Sequence, residues 1–418
     1  MIWLLGFLTI SIPLASWKFK GTLFTPWSLY SLSQFGGMMI ALFNLLPAMT
    51  DPTLATWAMF WSSAAAFFLG CFLASGKVTP WQGDVGLRWL PALKPVFLIL
   101  FILWLSSVAD GYLRAGGWPS FQVHADLARE LYSKRANIMW YTSQAGPVQA
   151  LLGLAVAWTA PQTWLRRLGW FGFLFSLWVS FATGMRFGMV TLLIVFVILY
   201  DFKKKRVSPS MAAGMILLLG STLSAMFILR QTHLQSFVDG LVIPWDQKIR
   251  LAVLPIYTYC ANCFWNLDTG LARSIAGAHL QQGYGYWTFN GLLFFTHLHV
   301  GLNTAYGFAN NYISLLKIAN LNTATWQWYV YLDFGWAGVL IYGLLWGMLA
   351  TWCTRLAGKS LLHAILSAYV LYYVAFSFFT LLTMIPEGML SVCVLMFLII
   401  NGKPSAPKET TRTLVPTA

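Results

Sequence analysis

Runs of about twenty apolar residues, almost free of charge, recur along the whole of this sequence. A run of that length forms a helix that crosses about 30 Å of hydrocarbon. The chain is therefore expected to be all-α, a polytopic integral membrane protein with about 11 transmembrane helices. The segments read as 2–16, 28–48, 53–75, 95–109, 138–158, 166–182, 187–201, 208–229, 329–353, 361–382 and 386–401. The third, with AAAFFLGCFLA, and the seventh, MVTLLIVFVILY, are the clearest. The first resembles the apolar part of a signal peptide, but no basic residue precedes it and the next span follows almost at once, so it reads as a helix. Composition agrees. Only 9% of the 418 residues are charged, where a soluble chain carries about 25%. The 22 tryptophans and 17 tyrosines suit membrane–water interfaces. There is no internal repeat, low-complexity stretch or soluble domain, so 1–418 reads as one membrane domain.

Lysine and arginine set the orientation. With the loops numbered alternately, one set holds Lys18 and Lys20; Lys77, Arg88 and Lys94; Arg166 and Arg167; Lys203 to Arg206; Arg355 and Lys359; and Lys403, Lys408 and Arg412 in the tail. These are 16 of the 26 basic residues. Short loops rich in Lys and Arg stay cytoplasmic, which predicts an outer N-terminus and an inner C-terminus. The tail, 401–418, with its prolines and threonines, reads as disordered.

The opposite face receives the long segments, one from about Asp110 to Ile138 and one over 230–328. Both are rich in Trp, Tyr, Phe and Leu. DLARELYSKRANIMWY and GLLFFTHLHV suggest interfacial or re-entrant helices, and an ordered loop of such length usually has a task. Ten basic residues lie on this face. Most would be solvated or paired with Asp126, Glu130, Asp239, Asp246 or Asp268. Arg186, in the short turn ATGMRFGMV, and Arg230, in FILRQTH, instead adjoin spans. Arginine there is costly without a partner, and its fork matches phosphate oxygens. An outward-facing site with such arginines suits a pyrophosphate.

Four stretches, taken in order, resemble a known family: TPWSLYSLSQF at the second span, GYLRAGGWPSF after the fourth, TGMRFGMV, and NTATWQWYVYLDFGWAGVLIYGLLWG, Asn322 to Gly347. The last is similar to a pattern of Asn-x-x-Thr, an aromatic stretch, then Asp-Phe-Gly-x-x-Gly. The family is that of the bacterial oligosaccharide repeat-unit polymerases of the O-antigen polymerase (Wzy) type. The resemblance implies a metal-independent glycosyltransferase of the inner membrane. It moves a growing glycan from undecaprenyl pyrophosphate onto the sugar of the next lipid-linked repeat unit, at the periplasmic face. The products of such enzymes include O-antigen, enterobacterial common antigen and capsule or exopolysaccharide. The resemblance also implies a partner co-polymerase that regulates chain length. Related O-antigen ligases carry histidine where this chain has Asn322, which favours polymerase over ligase.

That reaction sets physical demands. Charge developing on the pyrophosphate calls for fixed cations, and the candidates are Arg186 and Arg230, with Arg250 or Arg273 from the loop. Their alternative role is anchoring helix ends. A base would assist the attacking hydroxyl. His297 and His299 in THLHV are candidates for a base or a phosphate contact, although a satisfied structural histidine is the commoner role for such a residue. On a helix the two would diverge; in extended structure they would share a face. Asp333 is a further candidate base, but an aspartate at a helix entry often caps or braces the loop, and a structural or acceptor-orienting role is the favoured one for it. Asn322 and Thr325 are candidates for orienting the acceptor.

Other chemistry is weakly represented. Cys260 and Cys263 form C-x-x-C, readable as a disulfide, a redox pair, two ligands of an incomplete zinc site, or two packed thiols. There is no acidic pair for magnesium and no phosphate loop or dinucleotide fingerprint. No cofactor, nucleotide-sugar donor or nucleic-acid partner is therefore expected. The rival class is a flippase or transporter of lipid-linked oligosaccharide. Transporters place polar groups near mid-membrane and often show inverted repeats, whereas charge here sits at span ends. A scaffold for glycan assembly would not need membrane-edge arginines.

Overall fold

The computed structural model describes residues 1–45, 51–76, 91–122, 124–134, 137–184, 186–203, 207–228, 247–277, 282–308 and 323–401. Among these the chain is helical, with no strand. The helices are α1 (Ile2–Lys20), α2 (Pro26–Tyr30), α3 (Gly36–Ala41), α4 (Leu54–Leu73), α5 (Leu93–Ala115), α6 (Ala125–Ser133), α7 (Asn137–Ser143), α8 (Gly146–Thr159) and α9 (Thr163–Ala182). They continue with α10 (Arg186–Lys203), α11 (Pro209–Ile228), α12 (Gln247–Ile275), α13 (Asn290–Phe295), α14 (Leu298–Tyr306), α15 (Trp326–Leu356), α16 (Leu361–Ala375) and α17 (Pro386–Asn401).

Among the described residues, four stretches are long and apolar enough to cross a membrane: α1, α4, α15, and Leu93–Phe121, which contains α5. Shorter apolar helices occupy Gly146–Thr159, Gly188–Phe202, Leu361–Ala375 and Pro386–Asn401. The boundaries depart from hydropathy for local reasons. The helix expected at 95–109 runs to Ala115 because the Arg114–Asp110 pair, 2.9 Å apart, lies one turn along its surface; Gly116, at φ 70°, then ends it. The segment expected at 138–158 is two helices. It breaks before Gly146-Pro147, where proline fits a first helical turn but could not donate inside one. The segment expected at 28–48 starts at Pro26 behind Thr25, whose hydroxyl accepts from Ser28 N–H at 3.2 Å. It contains a π turn over Ser31–Phe35 and ends its helix at Ala41. The segment expected at 361–382 leaves the helix after Ala375, and the Ser377 carbonyl accepts from Trp326 N–H.

Small residues let the long helices touch. α4 and α15 pack backbone on backbone: a Cβ at Gly70 would collide with the Leu344 carbonyl, and one at Gly347 with the Phe67 carbonyl. α8 and α9 repeat this device, since a Cβ at Gly153 would come within 2.9 Å of the Gly169 carbonyl. Such packing holds helices together where no aqueous hydrophobic force acts between them. Buried amides add to it. Gln327 Nε2 donates to Gln34 Oε1 at 3.0 Å and to Ser63 Oγ at 3.1 Å, and Gln34 Nε2 donates to Ser377 Oγ at 3.0 Å.

The termini of the helices separate into two ends. At one, Thr22 donates to Asp201 at 2.6 Å, Val207 N–H donates to the other oxygen of Asp201 at 2.7 Å, and Arg355 donates to the Ala74 carbonyl at 3.1 Å. The basic residues of α1, α10 and α15 cluster in sequence around these points. The other end carries α6, α7, α13 and α14. There α12, 29 residues long and inside the stretch expected as a loop, lies along α3 and α4. Its Tyr257 hydroxyl accepts from Leu45 N–H at 2.8 Å. Its Asp268 accepts from Thr53 N–H, Thr53 Oγ1 and Thr56 Oγ1 at 2.6–2.8 Å, so this carboxylate serves the start of α4.

Candidate functional site

The end opposite the basic turns encloses a cavity of about 480 Å³, within the size range of small-ligand sites. Its wall is assembled from helix ends. α5 contributes Trp104, α6 Arg129 and Tyr132, α7 Trp140, and the turn after α7 Gln144. Gly146 opens α8, Ser180 lies in the last turn of α9, and Gly188 and Thr191 lie in the first turns of α10. α16 supplies Tyr369, Tyr372 and Tyr373; the turn after it supplies Thr380 and Ile385, and α17 supplies Glu387.

Glycines permit this wall. A Cβ at Gly146 would lie 2.9 Å from Trp104 Nε1, one at Gly188 would lie 2.8 Å from Ser180 Oγ, and one at Gly388 would lie 2.8 Å from Tyr373 Oη. The three tyrosines fall at i, i+3 and i+4, one face of a helix. Their rings meet edge to face, Tyr369–Tyr373 at 5.4 Å and Tyr372–Tyr373 at 5.0 Å. Tyr369 Oη donates to the Glu387 carbonyl at 3.4 Å and Ser391 Oγ donates to the same carbonyl at 2.6 Å, which fixes the first turn of α17. The Glu387 carboxylate has no ion-pair or side-chain hydrogen-bond partner among the described residues.

The cavity thus combines one guanidinium, one carboxylate, phenols, hydroxyls and indole faces. Cation and hydroxyls suit phosphate oxygens, and aromatic faces with a few polar groups suit a ring bearing hydroxyls. No protein-family model, curated protein or solved structure matches this chain. The site is therefore read from its own geometry.

Among the residues whose side chains are described, those singled out from sequence do not line this cavity. Arg186 opens α10, two residues before the lining Gly188. Arg230 and Asn322 lie outside the described residues. Arg250 is in the first turns of α12, and Arg273, in its last turn, is exposed and does not border the cavity. Thr325 is buried and precedes α15, yet its hydroxyl does not cap the helix.

Asp333 is 1% exposed. It accepts from Trp287 N–H at 3.2 Å and from Thr288 N–H at 2.5 Å. Beside it Gly283 N–H donates to the Leu332 carbonyl at 3.0 Å, and α15 kinks at Gly335, φ 64°. In this structure Asp333 braces the 283–289 turn.

His297 and His299 do share a face, by neither route expected. His297 takes a left-handed conformation, φ 59°, just before α14, and this leaves the two rings parallel at 6.1 Å. His299 stacks on Phe294 at 5.3 Å, and His297 meets Tyr141 edge-on at 5.3 Å. Burial holds the His299 pKa below its ordinary value, and the neighbouring His297 adds to this. Trp140 stands between this layer and the cavity, 6.2 Å from His299 on one side and lining the cavity on the other.

Cys260 and Cys263 are free thiols on α12. The Cys263 thiol donates to the Tyr259 carbonyl at 3.2 Å, so the C-x-x-C is a packed pair here and not a disulfide.

Two features of the site escaped sequence reading. Arg129 counted only as one outer-face cation among ten. Glu387 was absorbed into the last span, although one acid at the edge of an apolar run was a usable signal.

Proposed function

We propose that this chain is a membrane glycosyltransferase that polymerises undecaprenyl-pyrophosphate-linked oligosaccharide repeat units. The growing glycan leaves its lipid pyrophosphate and joins the sugar of an incoming unit. On this reading about eleven helices cross a bacterial inner membrane, the N-terminus is periplasmic, and the C-terminus is cytoplasmic. The cavity then opens on the periplasmic side. The observation that carries the reading is the cavity itself. Arg129, an array of phenols and indoles, and the first turn of the Arg186 helix converge at the end away from the basic turns.

The demands of the reaction support it. Glycosyl transfer from a pyrophosphate needs cations at the leaving group, apolar surface for the lipid, and shelter from water, which would otherwise hydrolyse the donor. Arg129 and Arg186 serve the pyrophosphate. Asp333, His297 and His299 support the wall from outside. A flippase is the weaker reading, because the buried amides Gln34 and Gln327 are bonded to each other and to serines.

The test is reconstitution in vesicles with a synthetic lipid-pyrophosphate-linked repeat unit. A ladder of products, lost on Arg129→Ala, supports the proposal. Unchanged substrate arriving in the other leaflet overturns it.

A further inference from the structure

We propose that Glu387 is the catalytic base of this cavity, accepting the proton of the attacking sugar hydroxyl; the inference rests on the glycosyltransferase reading above.

Four other titratable groups among the described residues are committed elsewhere. Asp333 accepts from two backbone N–H groups. Asp268 accepts from Thr53 and Thr56. His297 and His299 lie behind Trp140. Glu387 is the acidic side chain that lines the cavity, and it lines the same cavity as Arg129. Its backbone is fixed at three points: by Tyr369 Oη, by Ser391 Oγ, and by the tight contact that makes Gly388 a glycine. A base must be positioned as well as basic, and this first turn of α17 is held at the cavity wall by those contacts. Tyr369, Tyr372 and Tyr373 line the same cavity and offer hydroxyls to the acceptor sugar.

The step balances without a metal or redox partner. The acceptor hydroxyl oxygen forms a bond to the anomeric carbon of the donor glycan. The bond from that carbon to the pyrophosphate oxygen breaks, and its electron pair leaves on the lipid pyrophosphate. The hydroxyl proton passes to the Glu387 carboxylate and is later released to water.

The test uses the full-length protein in vesicles, with a synthetic undecaprenyl-pyrophosphate-linked repeat unit as donor and acceptor. Glu387→Gln should lower kcat by about 100-fold or more with KM little changed. Glu387→Ala should regain rate on addition of formate, which a merely structural role would not allow. If either variant fails to fold, the wild-type pH–rate profile decides. A kcat that falls about tenfold per pH unit on the acid side supports the base; a flat profile overturns it. Wild-type ladders with an unimpaired Glu387→Gln would overturn the role of Glu387 alone. A wild type that makes no ladder would overturn the glycosyltransferase reading and this inference with it.

Discussion

The ring of Phe294 lies 4.4 Å from that of Trp140, centroid to centroid, and Trp140 lines the cavity. Phe294 belongs to α13, whose Gly291 N–H donates to the Thr383 carbonyl, four residues before Glu387. One short helix therefore bears on two walls of the site. Phe294 is 4% exposed, and Phe294→Ala should cost about 3–5 kcal/mol. It should also loosen the cavity, so a thermal melt in detergent and a drop in polymerisation should move together.

Asp333 reaches the same helix through the turn it braces. Asp333→Ala leaves two N–H groups without their acceptor, each worth about 1–3 kcal/mol when buried. It should lower the melting temperature. Asp333→Asn keeps an acceptor oxygen and should recover part of that loss. Equal inactivation by both variants at unchanged stability would instead mark Asp333 as a base.

The neutral form of His299 is the one its site favours. The unfolded chain holds that imidazole at its ordinary pKa of 6.5, and the fold holds it lower. Between the two values the unfolded state binds more protons, so stability rises with pH there. Acidification below about pH 6.5 should destabilise the protein, with no contribution from this group above it. Melts of wild type and His299→Gln across that range should differ in slope only on the acid side.

The contact of α4 with α15 has no room for a methyl group. Gly347→Ala would drive a Cβ into the Phe67 carbonyl, and such overpacking costs about 1–3 kcal/mol. Gly214, with nothing within 4 Å of its would-be Cβ, is the control. Gly214→Ala should be neutral or stabilising by up to about 1 kcal/mol. Folded yield and melting temperature would separate the two.

Hydropathy alone pointed to the apolar helices seen among the described residues, because an apolar run in lipid must satisfy its backbone hydrogen bonds within itself. Lys and Arg placement determined a basic set of turns, and hydrogen bonds such as Thr22–Asp201 and Arg355–Ala74 show turns of that set gathered at one end. Sequence also flagged Asp333, His297 and His299, yet could not tell a brace from a base. That distinction depends on which backbone N–H groups fold up against a carboxylate, and on a left-handed turn at His297. Tertiary structure alone brought Arg129, from a loop helix, to the cavity that Tyr373 and Glu387 also line. Arg129 lies more than 200 positions from the other two, and no local pattern encodes a meeting made by the packing of helices.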